Sequence, residues 1–68
     1  MNIKKLRDDL ILTQLELAKL VGVSKTSISL WESTDREISF KHKRKIKELC
    51  EKNNLKFENY LKKYNDTI

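Results

Sequence analysis

Residues 24–30 carry the side chains of this sequence that are best suited to recognition by hydrogen bonding. Short hydroxyl side chains, one lysine and one leucine stand close together there: Ser24, Lys25, Thr26, Ser27, Ser29 and Leu30. A lysine can donate to the O6 and N7 atoms of guanine, and a threonine or leucine methyl group can pack on the methyl group of thymine. The segment therefore favours non-covalent reading of base edges by residues 25–30, with Ser24 placed to contact phosphate.

Each of these residues also has an ordinary surface interpretation. Lys25 can equally be a mobile surface lysine that touches only phosphate, and Thr26 can be an ordinary exposed residue. Ser27 and Ser29 can simply be small enough to allow close approach. Leu30 can pack within the protein or contact a protein partner, and the sequence leaves these alternatives open.

Two short helices, each with its own start signal, must position this segment. Thr13 and Glu16 have the spacing of a capping box at the start of the first helix. Ser24 is placed to cap the second helix. Gly22, the single glycine of the chain, lies where the chain must reverse and where a positive φ is often required. Two helices joined by such a turn form the helix-turn-helix pattern, which presents its second helix to the major groove of DNA.

Hydrophobic periodicity predicts an all-α chain of five helices. The predicted helices cover residues 2–11, 14–20, 25–33, 40–52 and 57–64. Ile3, Leu6 and Leu10 mark the core face of the first helix. Proline is absent and glycine occurs once, which is typical of short connections. We expect one compact domain over residues 1–64 and a frayed tail over 65–68.

The last two predicted helices carry core residues and a possible dimer patch. We assign these residues of the fourth helix to the core: Phe40, Ile46, Leu49 and Cys50. Ser39 is placed to cap that helix, and Asn53 and Asn54 to end it, since asparagine tolerates the left-handed conformation. In the fifth helix we assign Phe57 and Leu61 to the core. Tyr60 and Tyr64 can complete the core or form the edge of a symmetric dimer patch, and we favour a role in the dimer patch or one shared with the core.

The charge balance favours an anionic partner. The net charge is +5 and the isoelectric point about 9.5, and most of the excess lies in residues 41–47. These lysines can form a solvated face or a phosphate-binding flank, and their position after the helix-turn-helix favours the flank. The predicted phosphate contacts are Arg36, Ser39, Lys41, Lys43 and Arg44. Since no apolar run approaches the roughly 20 residues of a membrane helix, we expect no membrane partner.

The sequence offers no arrangement for bond chemistry. It has no nucleophile paired with a base, no glycine-rich phosphate loop and no carboxylate pair of defined spacing. The single histidine, His42, and the single cysteine, Cys50, are not at metal-ligand spacing. We therefore expect a non-enzymatic protein with no cofactor and no metal. A lone cysteine that cannot form an internal disulfide favours the cytoplasm.

A specific set of residues runs through the two helices and their turn: Thr13-Gln14, Leu17-Ala18, Val21-Gly22-Val23-Ser24, Ile28 and Trp31-Glu32. Taken together they resemble the XRE family of helix-turn-helix domains, the phage repressor and Cro type. The likeness covers about residues 3–61. It implies a compact five-helix, lambda-repressor-like domain that binds double-stranded DNA, usually as a dimer on a near-palindromic operator. It also implies that Gln14 binds a phosphate and braces the reading helix.

The chain departs from the family pattern at several positions. The family often has glycine soon after the Trp-Glu pair, where this chain has Ser33-Thr34, and often proline in place of Ile38. Relatives usually carry polar residues at the positions of Leu15, Leu20 and Leu30. These leucines would suit a protein-binding surface.

The sequence thus predicts a transcription regulator, a repressor of the Cro/CI type from a bacterium or a phage. One alternative is an antitoxin, or the isolated DNA-binding domain of a longer repressor. Another is a helix-turn-helix scaffold that acts as an adaptor, with a protein partner bound through Leu15 and Leu20.

Overall fold

The computed structural model describes residues 1–34 and 36–61, and this part of the chain forms helices and no strand. Its elements are α1 (Ile3–Leu10), α2 (Gln14–Val21), α3 (Lys25–Ser33), α4 (Phe40–Lys52) and a final 3-10 helix (Phe57–Tyr60). The all-α class and the first four predicted helices are confirmed. The described part of the predicted fifth helix is a single 3-10 turn, so a fifth α-helix is not confirmed. Among the described residues, no helix combines the length and apolar character needed to cross a membrane.

A single core draws apolar side chains from every helix. Its buried residues are Ile3, Leu6, Leu17, Ala18, Val21, Ile28, Ile38, Ile46, Cys50 and Tyr60. Ile3 and Leu6 lie one turn apart on α1, as the periodicity predicts. Burial raises the pKa of the Cys50 thiol, so Cys50 acts as a small apolar core residue. Removal of this apolar surface from water is the main force that holds so short a chain together.

The assignment of Phe40 to the core is wrong, because its side chain is 80% exposed. Phe40 is the first residue of α4 and stands six positions before the buried Ile46. At about 100° per residue the two side chains point about 120° apart around the helix. Ile38, in the connection before α4, enters the core instead.

The C-terminal assignments also change. Tyr60 is buried in the core of the domain, so it offers little surface for the predicted dimer patch, and Leu61 is half exposed. The reason is that a 3-10 helix has three residues per turn, which places Phe57 and Tyr60 on the same side. Tyr64 and the predicted tail over 65–68 lie outside the described residues.

Tyr60 connects the 3-10 helix to α1 through side-chain and backbone hydrogen bonds. Its hydroxyl donates to the Asp9 carboxylate at 2.7 Å, and its carbonyl accepts from the Asn2 amide at 2.7 Å. The Lys5 ammonium lies 5.1 Å from the centre of the tyrosine ring. Burial and the hydrogen bond to Asp9 raise the pKa of Tyr60 to about 12. The same hydrogen bond, together with one from Lys5, lowers the pKa of Asp9.

The ends of α4 follow the predicted positions but not every predicted contact. Ser39 occupies the N-cap position, yet its side chain makes no hydrogen bond to a helix amide. Its hydroxyl lies 3.0 Å from Nδ1 of His42 instead. At the other end Asn53 is the C-cap, and Asn54 adopts the left-handed conformation with φ of 58°.

Ile11 ends α1 in the left-handed region, with φ of 56°, and its side chain is 88% exposed. A β-branched residue is strained there, whereas glycine is not. We expect Ile11→Gly to raise the free energy of unfolding by about 0.5–1 kcal/mol, after allowance for the greater freedom of glycine in the unfolded chain. Urea denaturation followed by circular dichroism measures this. Ile11→Ala is the matched control, and an equal gain from alanine would attribute the effect to the exposed side chain rather than to the backbone.

Candidate nucleic-acid interface

Helices α2 and α3 are oriented by signals within their own sequence. Thr13 Oγ1 accepts from the Glu16 amide at 3.1 Å, and the Glu16 carboxylate accepts from the Thr13 amide at 2.8 Å, which confirms the capping box. Gly22 has the expected positive φ, 83°. Ser24 Oγ accepts from the Ser27 amide at 3.2 Å, which confirms the second cap. The turn between the two helices is therefore fixed at both ends by local contacts.

Helix α3 has one buried and one exposed side. Ile28 is fully buried, and Trp31 packs against the core with its ring centre 5.5 Å from that of His42. The exposed side chains of α3 include those that the sequence assigns to base reading: Lys25, Thr26, Ser29 and Leu30. The exposed side of α3 is thus free to approach a ligand surface.

Four of the predicted contact residues meet where α2 and α3 come together. Gln14, Lys25, Thr26 and Ser29 line a shallow depression of about 210 Å³. Gln14 comes from the first turn of α2 and Lys25 from the first turn of α3. The amide groups at a helix start carry a partial positive charge. The depression therefore combines hydrogen-bond donors with two positive helix ends, a combination that suits phosphate oxygens and base edges.

A network of three hydrogen-bonded side chains supports this depression on its inner side. Arg7 of α1 binds Glu32 of α3 through two nitrogens, with Nε 2.8 Å and Nη2 3.3 Å from the carboxylate oxygens. Gln14 Nε2 donates to the same carboxylate at 3.2 Å. The Arg7 and Glu32 side chains are 19% and 11% exposed. The network therefore joins α1, α2 and α3 directly behind the surface that Gln14 helps to form.

The ionisation of this network follows from its contacts. Burial acts to raise the pKa of Glu32, but hydrogen bonds from Arg7 and Gln14 outweigh it, and the pKa lies below its ordinary value. The hydrogen bond to Glu32 raises the pKa of Arg7. Both groups are charged at neutral pH, and each is the other's counter-ion. Sequence reasoning did not identify this pair as functional, because the two residues are 25 positions apart.

Three of the predicted serine contacts are used within the protein. The Ser27 hydroxyl is half-buried and lies 3.2 Å from the Ser24 hydroxyl, which also accepts the Ser27 amide. The Ser39 hydroxyl is bonded to His42. Ser24 and Ser27 therefore serve first to cap α3.

The predicted phosphate contacts after α3 divide into two groups. Arg36, Lys41 and Arg44 are exposed, and none of them has an ion-pair partner among residues 1–34 and 36–61; we call these three residues the basic flank. Lys43 is half-buried and forms an ion pair with Glu37. Lys43 therefore ties the segment before α4 to that helix, and its charge is already matched.

The unusual leucines of α2 lie on separate surfaces. Leu15 and Leu20 are both half exposed. Since they are five residues apart, they point about 140° away from each other around the helix. Leu20 faces α4 across a shallow cleft of about 250 Å³, whose other lining residues are Lys45, Glu48, Leu49 and Lys52. Leu15 is not part of that cleft.

Comparison with known proteins identifies the family. The helix-turn-helix family model matches residues 3–53, which span α1 to the end of α4. No curated protein and no solved structure matches the chain. The matched region contains the capped helix pair, the glycine turn and the exposed side of α3. The chain belongs to the XRE type of the helix-turn-helix family and is a DNA-binding transcription regulator.

Proposed function

We propose that this protein is a repressor of the Cro type that binds a near-palindromic operator as a dimer. The observation that carries this proposal is the depression formed by Gln14, Lys25, Thr26 and Ser29 on the exposed side of the α2–α3 pair. Two copies of α3 would enter the major groove at half-sites one helical turn apart, about 34 Å. Occupation of the operator would exclude polymerase or a competing regulator.

In this proposal sequence is read by the exposed residues of α3. Lys25 donates to guanine O6 and N7, and Thr26 packs its methyl group on thymine or donates to an oxygen. Ser29 is small and exposed, which permits close approach to the groove. Leu30 offers only an apolar surface, so it favours sites that contain thymine at the facing position.

Phosphate contacts hold the domain in register but read no sequence. The Gln14 amide has two N–H groups and gives one to Glu32, which leaves the other for a phosphate. The basic flank binds further phosphates beside the groove. The three cations of the basic flank in each subunit would neutralise about six phosphates in the dimer, which predicts a slope of about −5 when log affinity is plotted against log salt concentration.

Selection from random duplex DNA at two salt concentrations tests the proposal. We expect the selected sequences to align as a near-palindrome, and sedimentation of the bound complex to show two protein chains per site. A salt-sensitive interaction without a common sequence would contradict specific reading. Selected sites occupied by one chain would contradict the dimer.

The exposed leucines raise a second candidate, a protein-binding adaptor, but their placement argues against it. An adaptor needs a contiguous apolar patch, and Leu15 and Leu20 point to different sides of α2. A complete lack of DNA binding in the selection would favour the adaptor over the repressor.

A further inference from the structure

Phe40 lies in a stretch of the chain that is rich in positive charge. Positions three, four and seven residues along a helix share its side, and for Phe40 these are Lys43, Arg44 and Lys47. Arg36 and Lys41 lie close by in sequence. Of these five cations only Lys43 has an ion-pair partner among the described residues. An aromatic ring that is 80% exposed thus lies in a stretch of the chain with four cations that an anionic partner could neutralise.

The fold does not need Phe40 at this place. Ile38 occupies the core beside the start of α4, and the phenylalanine ring is not part of the buried core. A second copy of the same surface would bring like charges together, which opposes dimer formation through this face. The charge instead favours a polyanion that carries apolar surface between its charges. The DNA backbone has this chemistry, because deoxyribose rings alternate with phosphates.

The start of α4 also lies beside the reading helix. Residues 34–39 connect it directly to the end of α3, and Ile38 anchors this connection in the core. The Trp31 ring of α3 packs 5.5 Å from the ring of His42 in the first turn of α4. This ring contact keeps the start of α4 close to α3, so we expect it to lie near the edge of the groove when α3 occupies the major groove.

We propose that Phe40 packs on deoxyribose rings of the DNA strand that borders this groove while the basic flank binds the adjoining phosphates. The inference rests on the proposed DNA-binding mode and adds an apolar contact to it. Because the contact is uncharged, it releases no counter-ions, and its contribution to affinity does not depend on salt concentration. Phe40 would strengthen binding without reading the base sequence.

Fluorescence anisotropy with a selected duplex tests this contact over a range of salt concentrations. We expect Phe40→Ala to weaken binding by about tenfold at every salt concentration, since an aromatic face is removed. The slope of log affinity against log salt concentration should equal that of the unsubstituted protein. Phe40→Trp should bind within about twofold of the original, because it keeps an aromatic face. Leu20→Ala, which removes an exposed apolar side chain from another surface, should leave affinity unchanged.

Three outcomes would overturn the inference. One is unchanged affinity of Phe40→Ala, and another is a loss that disappears at high salt. The third is a loss of binding to anionic phosphatidylserine vesicles without any loss of DNA binding, which would assign the ring to a lipid surface. In each case the unsubstituted protein still binds its selected site, so these results differ from failure of the proposed function. Thermal unfolding of Phe40→Ala checks that the variant is folded. We expect it to be folded because the Phe40 side chain is mostly exposed.

Discussion

Substitution of Glu32 by alanine is expected to lower the free energy of unfolding by about 2–4 kcal/mol, somewhat less than the loss for a fully buried ion pair. The Glu32 side chain is 11% exposed and binds two nitrogens of Arg7 and one of Gln14. Its removal leaves the largely buried Arg7 guanidinium without its ion-pair partner. A chain of 68 residues has a total stability of about 3–10 kcal/mol, so this one carboxylate supplies a large share of the stability of the domain. Urea denaturation followed by circular dichroism measures the loss.

Two controls separate this effect from a general loss of charge. Glu37→Ala removes an exposed carboxylate whose partner is Lys43, and it should leave the urea midpoint unchanged. The double substitution Arg7→Met with Glu32→Leu replaces both partners by apolar groups, and it should recover much of the stability that Glu32→Ala removes. A urea midpoint for Glu32→Ala equal to that of the original protein would contradict the structural role of the pair.

The same carboxylate makes stability depend on pH in a defined direction. The pKa of Glu32 in the folded state lies below its ordinary value of 4.5. The contribution of the Glu32 carboxylate to the free energy of unfolding is therefore fully present above pH 4.5. It is lost as the pH falls through the pKa of the folded state. Glu32→Gln keeps the shape but removes the titration. We expect this variant to be less stable than the original at neutral pH, and the difference to shrink under acidic conditions.

Much of this fold follows from local sequence signals. Thr13, Gly22 and Ser24 act within a few residues of their own position, so the two capped helices and the turn could be predicted. The exposed side of α3 could also be predicted, because helical period alone separates Ile28 from Thr26. Structure is therefore predicted most successfully from sequence where the residues that determine it lie within one helix or its cap.

The remaining features of the fold depend on contacts between residues that are far apart in the sequence, which no local pattern reveals. Arg7 meets Glu32 across 25 positions and Tyr60 meets Asp9 across 51, and only the packed fold brings them together. An apolar residue near a helix start resembles a core position, so the sequence places Phe40 in the core, where the fold places Ile38 instead. The 3-10 geometry of Phe57–Tyr60 changes which C-terminal side chains are buried.

Lys25→Ala is expected to weaken binding to a selected operator by about tenfold or more for each subunit, since a lysine–guanine contact contributes about 1–3 kcal/mol of discrimination. Lys25 is exposed in the first turn of α3 and lines the depression with Gln14, Thr26 and Ser29. Binding to random duplex DNA should fall much less, because it depends on phosphate contacts. Competition binding with both duplexes, at several salt concentrations, measures the two losses separately.

Arg44→Ala is the matched control because it removes one positive charge from the basic flank. Its loss of affinity should be similar for selected and random DNA. The slope of log affinity against log salt concentration should fall in magnitude by about 1 for each phosphate that is no longer neutralised. For Lys25→Ala, selection repeated with the variant should relax the preference for guanine at one position of each half-site. If Lys25→Ala instead behaves like Arg44→Ala on both duplexes, Lys25 binds phosphate. Sequence would then be read by Thr26 and Leu30, which supply methyl groups and favour thymine.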